Sequence, residues 1–133
     1  MPSGFVMRRI INPITVRLGG PTLVLRGRRT GKVNATPVPP FPFEGVRYLV
    51  GGGGETDWVR NLRAAGEGEL RIRGSSERFR GVELSGADRD RVVTAYRVKM
   101  GRRAKTYFDA LPQPRQHPVF RIDSMAAMPG PKT

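Results

Sequence analysis

Between Arg26 and Pro37 the chain reads RGRRTGKVNATP, placing four cations and two glycines in seven positions before a proline-punctuated run. Arginine forks take phosphate oxygens in pairs, and the amides around a glycine turn form a concavity for an anion. With Arg28, Arg29 and Lys32 beside the Thr30 and Thr36 hydroxyls, the loop is equipped to hold a phosphate. The same composition also suits a solvated hairpin tip. A Walker-type loop is excluded, because it needs four residues between its glycines and Ser or Thr after the lysine. Here three residues separate Gly27 from Gly31, and Val33 follows Lys32. The second glycine feature, Gly51-Gly52-Gly53-Gly54, fails a dinucleotide fingerprint, whose third glycine would fall on Thr56 or Asp57. Four residues without side chains either let a neighbour approach the backbone or make a flexible turn.

The remaining inventory narrows the chemistry. With no cysteine there are no disulfides, iron–sulfur clusters or thiolates. His117 is the only histidine, which rules out a histidine-rich metal site and any Ser-His-Asp triad that does not use it. Against 11 acids stand 24 Lys and Arg, a net charge of +13, and seven of those cations precede the first acid, Glu44. A second cluster, Arg97, Lys99, Arg102, Arg103 and Lys105, lies in an acid-free stretch over residues 91–108. Such a field attracts polyanions, whether nucleic acid, anionic lipid or a phosphorylated or polycarboxylate small molecule, or it serves solubility alone. The single Trp58 and the proline-rich strand match no RNA-binding signature with paired aromatics. Nucleic acid is therefore expected only as a nonspecific, charge-driven partner. No run of 18 apolar residues could cross a membrane, and Asn12-Pro13 interrupts the stretch after Arg8 and Arg9 where a signal peptide would need an apolar core. The cytoplasm is the expected compartment.

These residues must be positioned by one domain, the organisation expected for 133 residues. Over residues 5–18, Met7, Ile10, Ile11, Ile14 and Leu18 fall at helical spacing among arginines, predicting a basic amphipathic helix that packs on its own domain or meets an anionic membrane. Residues 22–25 read as a strand leading into the basic loop. Residues 35–43 are extended, but Pro37, Pro39, Pro40 and Pro42 cannot donate ladder hydrogen bonds, so an edge strand or an early break is expected. Residues 46–50 predict a strand running into the glycines. Thr56 or Asp57 opens a helix with Trp58, Val59, Leu62 and Ala65 on one face and Gly66 as its stop. A hairpin over residues 69–84 turns at Gly74-Ser75-Ser76. Ser85-Gly86-Ala87-Asp88 has the form of a capping box before a helix burying Val92, Val93, Tyr96 and Met100. A short helix over residues 106–111 and a strand over residues 118–122 follow. His117 reads as a strand-entry residue. About six strands without strand–helix alternation predict an antiparallel α+β barrel with peripheral helices. The expected organisation is an N-terminal helix over residues 1–21, the barrel over residues 22–123 and a disordered tail over residues 124–133.

Three segments together resemble one family. GRRTGKVNATP is similar to the Gly-Arg-[Arg/Lys]-[Ser/Thr]-Gly-x-x-x-x-Thr-Pro motif of the deazaflavin-dependent nitroreductases. DWVRNLRAAGEGELRIRG resembles that family's Trp-x-x-Asn-Leu helix and following strand, and HPVFRI its last strand. The resemblance implies a split β-barrel, related to flavin-binding pyridoxamine-phosphate oxidases, and the coenzyme F420, with FMN as runner-up. It implies that Arg28, Arg29 and Thr30 hold the phosphate and that Asn34, Ala35, Thr36, Pro37 and Val38 line the coenzyme. Val50, Gly51, Gly52 and Gly53 would pass along the ring, and Asp57, Trp58 and Asn61 would complete the pocket. Tyr107 stands close to where some members carry a tyrosine beside the ring, as a proton donor or as a helix residue with a wet hydroxyl. Asn34 replaces a cation found in several relatives, and the loop over residues 51–55 lacks the lysine and extra residues of the nitroimidazole-reducing branch. The implied activity is hydride transfer from reduced F420 to an electron-poor small molecule such as an activated alkene, quinone or nitro compound, by a monomer or homodimer. A carrier that binds a deazaflavin without turnover is the alternative.

Overall fold

The computed structural model describes residues 20–125. The expected N-terminal amphipathic helix and all but the start of the expected tail lie outside them. The elements run β1 (Thr22–Arg26), β2 (Val33–Pro37), β3 (Phe41–Phe43), β4 (Val46–Val50), α1 (Asp57–Ala65), β5 (Glu67–Ile72), β6 (Ser75–Glu83), α2 (Gly86–Met100), α3 (Lys105–Ala110) and β7 (Val119–Ser124). Gly101–Ala104 and Pro114–Gln116 are 3-10 turns. The strands form one seven-stranded sheet, ordered β2-β1-β5-β6-β7-β4-β3, in which every pairing is antiparallel. This curled half-barrel is the architecture expected of a split-barrel α+β fold.

The seventh strand comes from the proline run. It is split into β2 and β3, and these are the two edges of the sheet. A proline lacks the N–H that an interior strand must donate on both sides, so edges are where such residues can sit. The β5–β6 turn is tighter than expected. Arg73 and Gly74 both have positive φ (50° and 83°) and connect Ile72 directly to Ser75, the mirror-type two-residue turn that matches strand twist. At the other end of the chain, Ser124 completes β7, and the Met125 amide donates to the Arg78 carbonyl at 2.8 Å. The first residues of the expected tail are thus part of the sheet.

Alternation along the strands sends side chains to two cores. Leu23, Leu25, Leu49, Leu70, Phe79 and Phe120 pack with Val59 and Leu62 of α1. Tyr48, Val50 and Val119, one residue out of phase, pack with Phe41, Val92, Val93, Ala104 and Phe108 under α2 and α3. Gly66 ends α1 in the left-handed region, its amide donating to the Leu62 carbonyl at 2.7 Å. The buried stripe of α1 includes Asn61, while Ala65 is exposed, because the helix leans toward the basic loop. Neither Thr56 nor Ser85 makes a side-chain cap bond, so the Ser-x-x-Asp form before α2 marks the helix start without the reciprocal hydrogen bonds of a capping box.

Ion pairs tie elements across the surface. Arg63 of α1 holds Glu55 at 2.8 Å and Glu83 of β6 at 2.7 Å. The Glu83 and Glu55 hydrogen bonds push the Arg63 guanidinium pKa up. Arg47 of β4 grips Glu77 of β6 at 2.6 and 3.1 Å across β7, and that hydrogen bond holds the Glu77 carboxyl below its ordinary value of 4.5. A depressed carboxylate contributes stability above its unfolded pKa and loses it as pH falls through the folded one. The melting temperatures of wild type and Glu77→Gln are therefore expected to differ at neutral pH and to draw together as pH falls below the ordinary carboxylate range. A difference of unchanged size across the whole acid range would assign Glu77 a role other than pairing.

Candidate coenzyme site

The basic loop closes on itself before it meets anything else. The Gly27 amide donates to the Lys32 carbonyl at 2.7 Å, the Gly31 amide to the Gly27 carbonyl at 3.0 Å, and Arg26 Nη1 to the Gly31 carbonyl at 2.8 Å. Gly31 has φ +76°, the conformation that only glycine adopts without strain. Thr30 Oγ1 accepts the Lys32 amide at 3.1 Å, so this hydroxyl shapes the loop as well as facing solvent. The tip is a built turn, and its cations are sorted by it.

Arg28 and Arg29 separate into different roles. Arg28 is folded inward: its amide and its Nη1 both donate to Asn61 Oδ1, at 3.0 and 2.8 Å, and its Nη2 lies 3.6 Å from Asp57 Oδ1. One carboxamide oxygen on α1 thereby fixes both the backbone and the guanidinium of the loop. Arg29 and Lys32 stand exposed, with no ion-pair partner among the described residues. They are the cations left to meet a ligand.

Between the loop, β2 and α1 lies a polar cleft of about 210 Å³ lined by Leu25, Asn34, Ala35, Thr36, Asp57, Trp58 and Asn61. Six of these seven are residues implied by the family resemblance, and Arg28 adjoins them through Asn61 and Asp57. Asn34 reaches the Lys32 carbonyl only at 3.5 Å, leaving its amide available. Asp57, with its side chain 90% exposed, stands in the first turn of α1, where an acid stabilises the helix and partly offsets the cations. Trp58 is half-buried, its ring 6.2 Å from Phe120, so it is a core residue that also walls the cleft. Pro37 is exposed at the end of β2, and Val38 is buried in the first core.

A second corner lies along the glycine run. Gly51 and Gly52 are buried, and Gly53 is exposed. What approaches this backbone is the protein itself. A Cβ on Gly51 would meet Val59 and Pro118 at 3.0 and 3.2 Å, and one on Gly52 would stand 2.9 Å from the Tyr107 ring. Gly53 lies beside Thr56 and within 3.9 Å of the Tyr107 ring by the same measure. Val50 is packed in the second core. Tyr107, 46% exposed, thus forms a wall over the stretch that the resemblance assigns to the ring.

His117 fixes this corner from beneath. It is fully buried, with Nε2 2.7 Å from the Leu111 carbonyl and Nδ1 3.3 Å from the Gly51 carbonyl, and its ring is 4.3 Å from that of Phe108. The imidazole joins the end of α3 to the glycine run, a structural role beyond strand entry. Tyr96, expected as a core residue, is only half-buried, and its hydroxyl points to Gly52. Burial, and then the nearby Tyr107, push its phenol pKa up. Its helical spacing with Val92, Val93 and Met100 concealed this position.

Comparison with known proteins bears on the family and the fold. The family model of the F420H(2)-dependent quinone reductases matches residues 6–109. A protein of unknown function from Agrobacterium tumefaciens has a similar fold, with a TM-score of 0.56 at 17% identity over 87% of this chain, which spans 56% of that protein's length. An F420-H2 dependent reductase gives 0.54 at 21% identity, over 77% of this chain and 92% of its own. A chain described as a domain-swapped dimer gives 0.55 at 18% identity, over 92% of this chain and 100% of its own. These likenesses carry the fold. No curated protein matches the sequence.

Proposed function

The chain belongs to the F420H2-dependent quinone reductase family, and from that membership together with the cleft we propose that it reduces a quinone-type acceptor at the expense of reduced F420. It is an oxidoreductase whose coenzyme is F420. The observation that carries the site assignment is the clamp: Asn61 holds Arg28 by two hydrogen bonds at the rim of a polar cleft, leaving Arg29 free beside it.

The donor set fits an anionic coenzyme. Arg29 and Lys32 would meet the phosphate, while Thr36, Asn34 and Asn61 supply polar contacts deeper in the cleft. Trp58 walls it on the core side. Arg28, held by Asn61, sets the position of the loop rather than being wholly spent on the ligand. When bound, F420 supplies the hydride chemistry, and the protein contributes orientation and electrostatics. Tyr107 covers Gly52 and shields the corner from water. The expected acceptors still include activated alkenes and nitro compounds, and quinones are favoured by the family's own chemistry. The open edges β2 and β3 offer surfaces through which a homodimer could assemble, and sedimentation velocity distinguishes it from a monomer.

Titration with F420 and with FMN tests the reading. Saturable binding of F420, tighter than that of FMN, is the expected result; FMN binding more tightly, or no saturable F420 signal, would sink it. Arg29→Ala should weaken F420 binding about 5-fold to 150-fold, the range for losing one charge-assisted contact. Unchanged affinity at matched ionic strength would place the phosphate elsewhere.

A further inference from the structure

Between the edge strand β3 and α2 lies an open groove of about 890 Å³ that shares no lining residue with the coenzyme cleft. Its floor is aromatic: Phe41, anchored in the second core, stacks on Phe43 with 6.1 Å between ring centroids. Its other wall is one face of α2, because Ala87, Arg91, Ala95 and Val98 recur at every third or fourth position. From Ala87 to Lys99 that wall runs about 18 Å along the helix. Val98 stands at its lip, 78% exposed, an apolar side chain left in water beside an apolar groove.

The charges along this wall are unevenly spent. Toward the start of α2, Arg89 donates to Asp90 at 3.0 Å, and Arg91 donates to Glu44 at 2.6 Å while its guanidinium carbon stands 5.1 Å from the centre of the Phe43 ring. At the other end Lys99 is exposed and makes no ion pair or hydrogen bond to any described residue. Arg102 and Arg103 stand exposed just beyond it, in the stretch that holds no acid until Asp109. The groove is thus apolar along its length and carries an unspent cation at one end.

We propose that this groove is a second ligand site, for an amphiphile with one long apolar chain and an anionic head, the chemistry of a fatty carboxylate. The head meets the Lys99 ammonium in a charge-assisted hydrogen bond, and the chain lies along Val98, Ala95 and Phe43 toward Ala87, taking their apolar surface out of water. The volume is that of a small-molecule site, for which the usual range is about 300 to 1,000 Å³. Ten residues line the groove, short of the roughly 20 to 30 that each side of a standard protein interface supplies, so a small ligand fills it where a protein partner would overhang. The site carries no reaction and does not depend on the coenzyme or on the reductase reading.

Isothermal titration of the full chain with sodium dodecanoate, kept below its micelle concentration, reads the site directly. Saturable one-to-one binding is expected, about tenfold weaker for decanoate through the loss of two buried methylenes. Dodecyltrimethylammonium, a similar chain with the opposite head, should not bind. Lys99→Glu and Val98→Glu alter exposed side chains and leave the core intact. Each should weaken dodecanoate binding about tenfold or more, whereas Arg60→Glu, the same charge change as Lys99→Glu but on α1, should leave it unaltered. No saturable signal from wild type, an affinity that Lys99→Glu and Val98→Glu leave unchanged, or equal binding of the cationic amphiphile overturns the proposal. A wild-type dimer in sedimentation velocity that Val98→Glu dissolves would give the groove to a second copy. Co-sedimentation with phosphatidylglycerol vesicles without binding of monomeric dodecanoate would give it to a membrane surface, and either of these results also overturns the proposal.

Discussion

Asn61→Leu is expected to weaken F420 binding tenfold or more and to lower the unfolding free energy by about 1 to 3 kcal/mol. Asn61 Oδ1 is the single acceptor for both the amide and the Nη1 of Arg28, so its loss strands a half-buried backbone donor and a guanidinium at once. Leucine fills similar space on the buried face of α1 but accepts nothing. The loop would keep its internal turn, since the Gly27, Gly31 and Arg26 bonds do not involve α1. It would lose its register against the helix that supplies Asp57 and Trp58. Isothermal titration with F420 and chemical denaturation measure the two effects separately. A stability loss without an affinity loss would show that the clamp holds the fold and leaves the coenzyme indifferent to it.

Leu62→Ala should cost about 2 to 5 kcal/mol of stability, the range for emptying a fully buried aliphatic position. Leu62 has no exposed surface, and its branched end lies against Gly81 of β6, where an added Cβ would come within 3.1 Å of it. The side chain therefore seats α1 against the sheet at Gly81. Alanine leaves a void against Gly81, which has no side chain to fill it. Since α1 carries Asp57, Trp58 and Asn61, coenzyme affinity should fall too, although Leu62 does not line the cleft. Denaturation midpoints in urea give the first result. A loss under 1 kcal/mol would mean that the interface between α1 and β6 rearranges.

Much of this was legible in the chain itself. The basic loop is marked by its residue types: glycines for the turn, a threonine to brace it, and arginines of a kind that could hold an anion. The helix from Asp57 to Gly66 announces its start and its stop. Four prolines in nine residues foretold sheet edges, since a missing amide is a local fact that no tertiary context repairs. Periodicity likewise assigned Val59, Leu62, Val92 and Val93 to the interior.

What the sequence did not contain is which polar groups would meet. Arg28 and Arg29 are neighbours of the same type, and only the approach of Asn61, 33 positions away, makes one an anchor and leaves the other free. The glycine run looked open to a ligand or merely flexible. Tertiary packing instead presses Tyr107 against Gly52 and ties Gly51 to His117. Tyr96 had the spacing of a core residue, yet the curl of the sheet brings its hydroxyl to the same corner. Turns, caps and periodic faces are decided within a few bonds along the chain, so composition and spacing determine them. Contacts between α1 and the loop, or between α2, α3 and the glycines, depend on how the sheet curls and where two cores place their helices, and only the folded structure decides them.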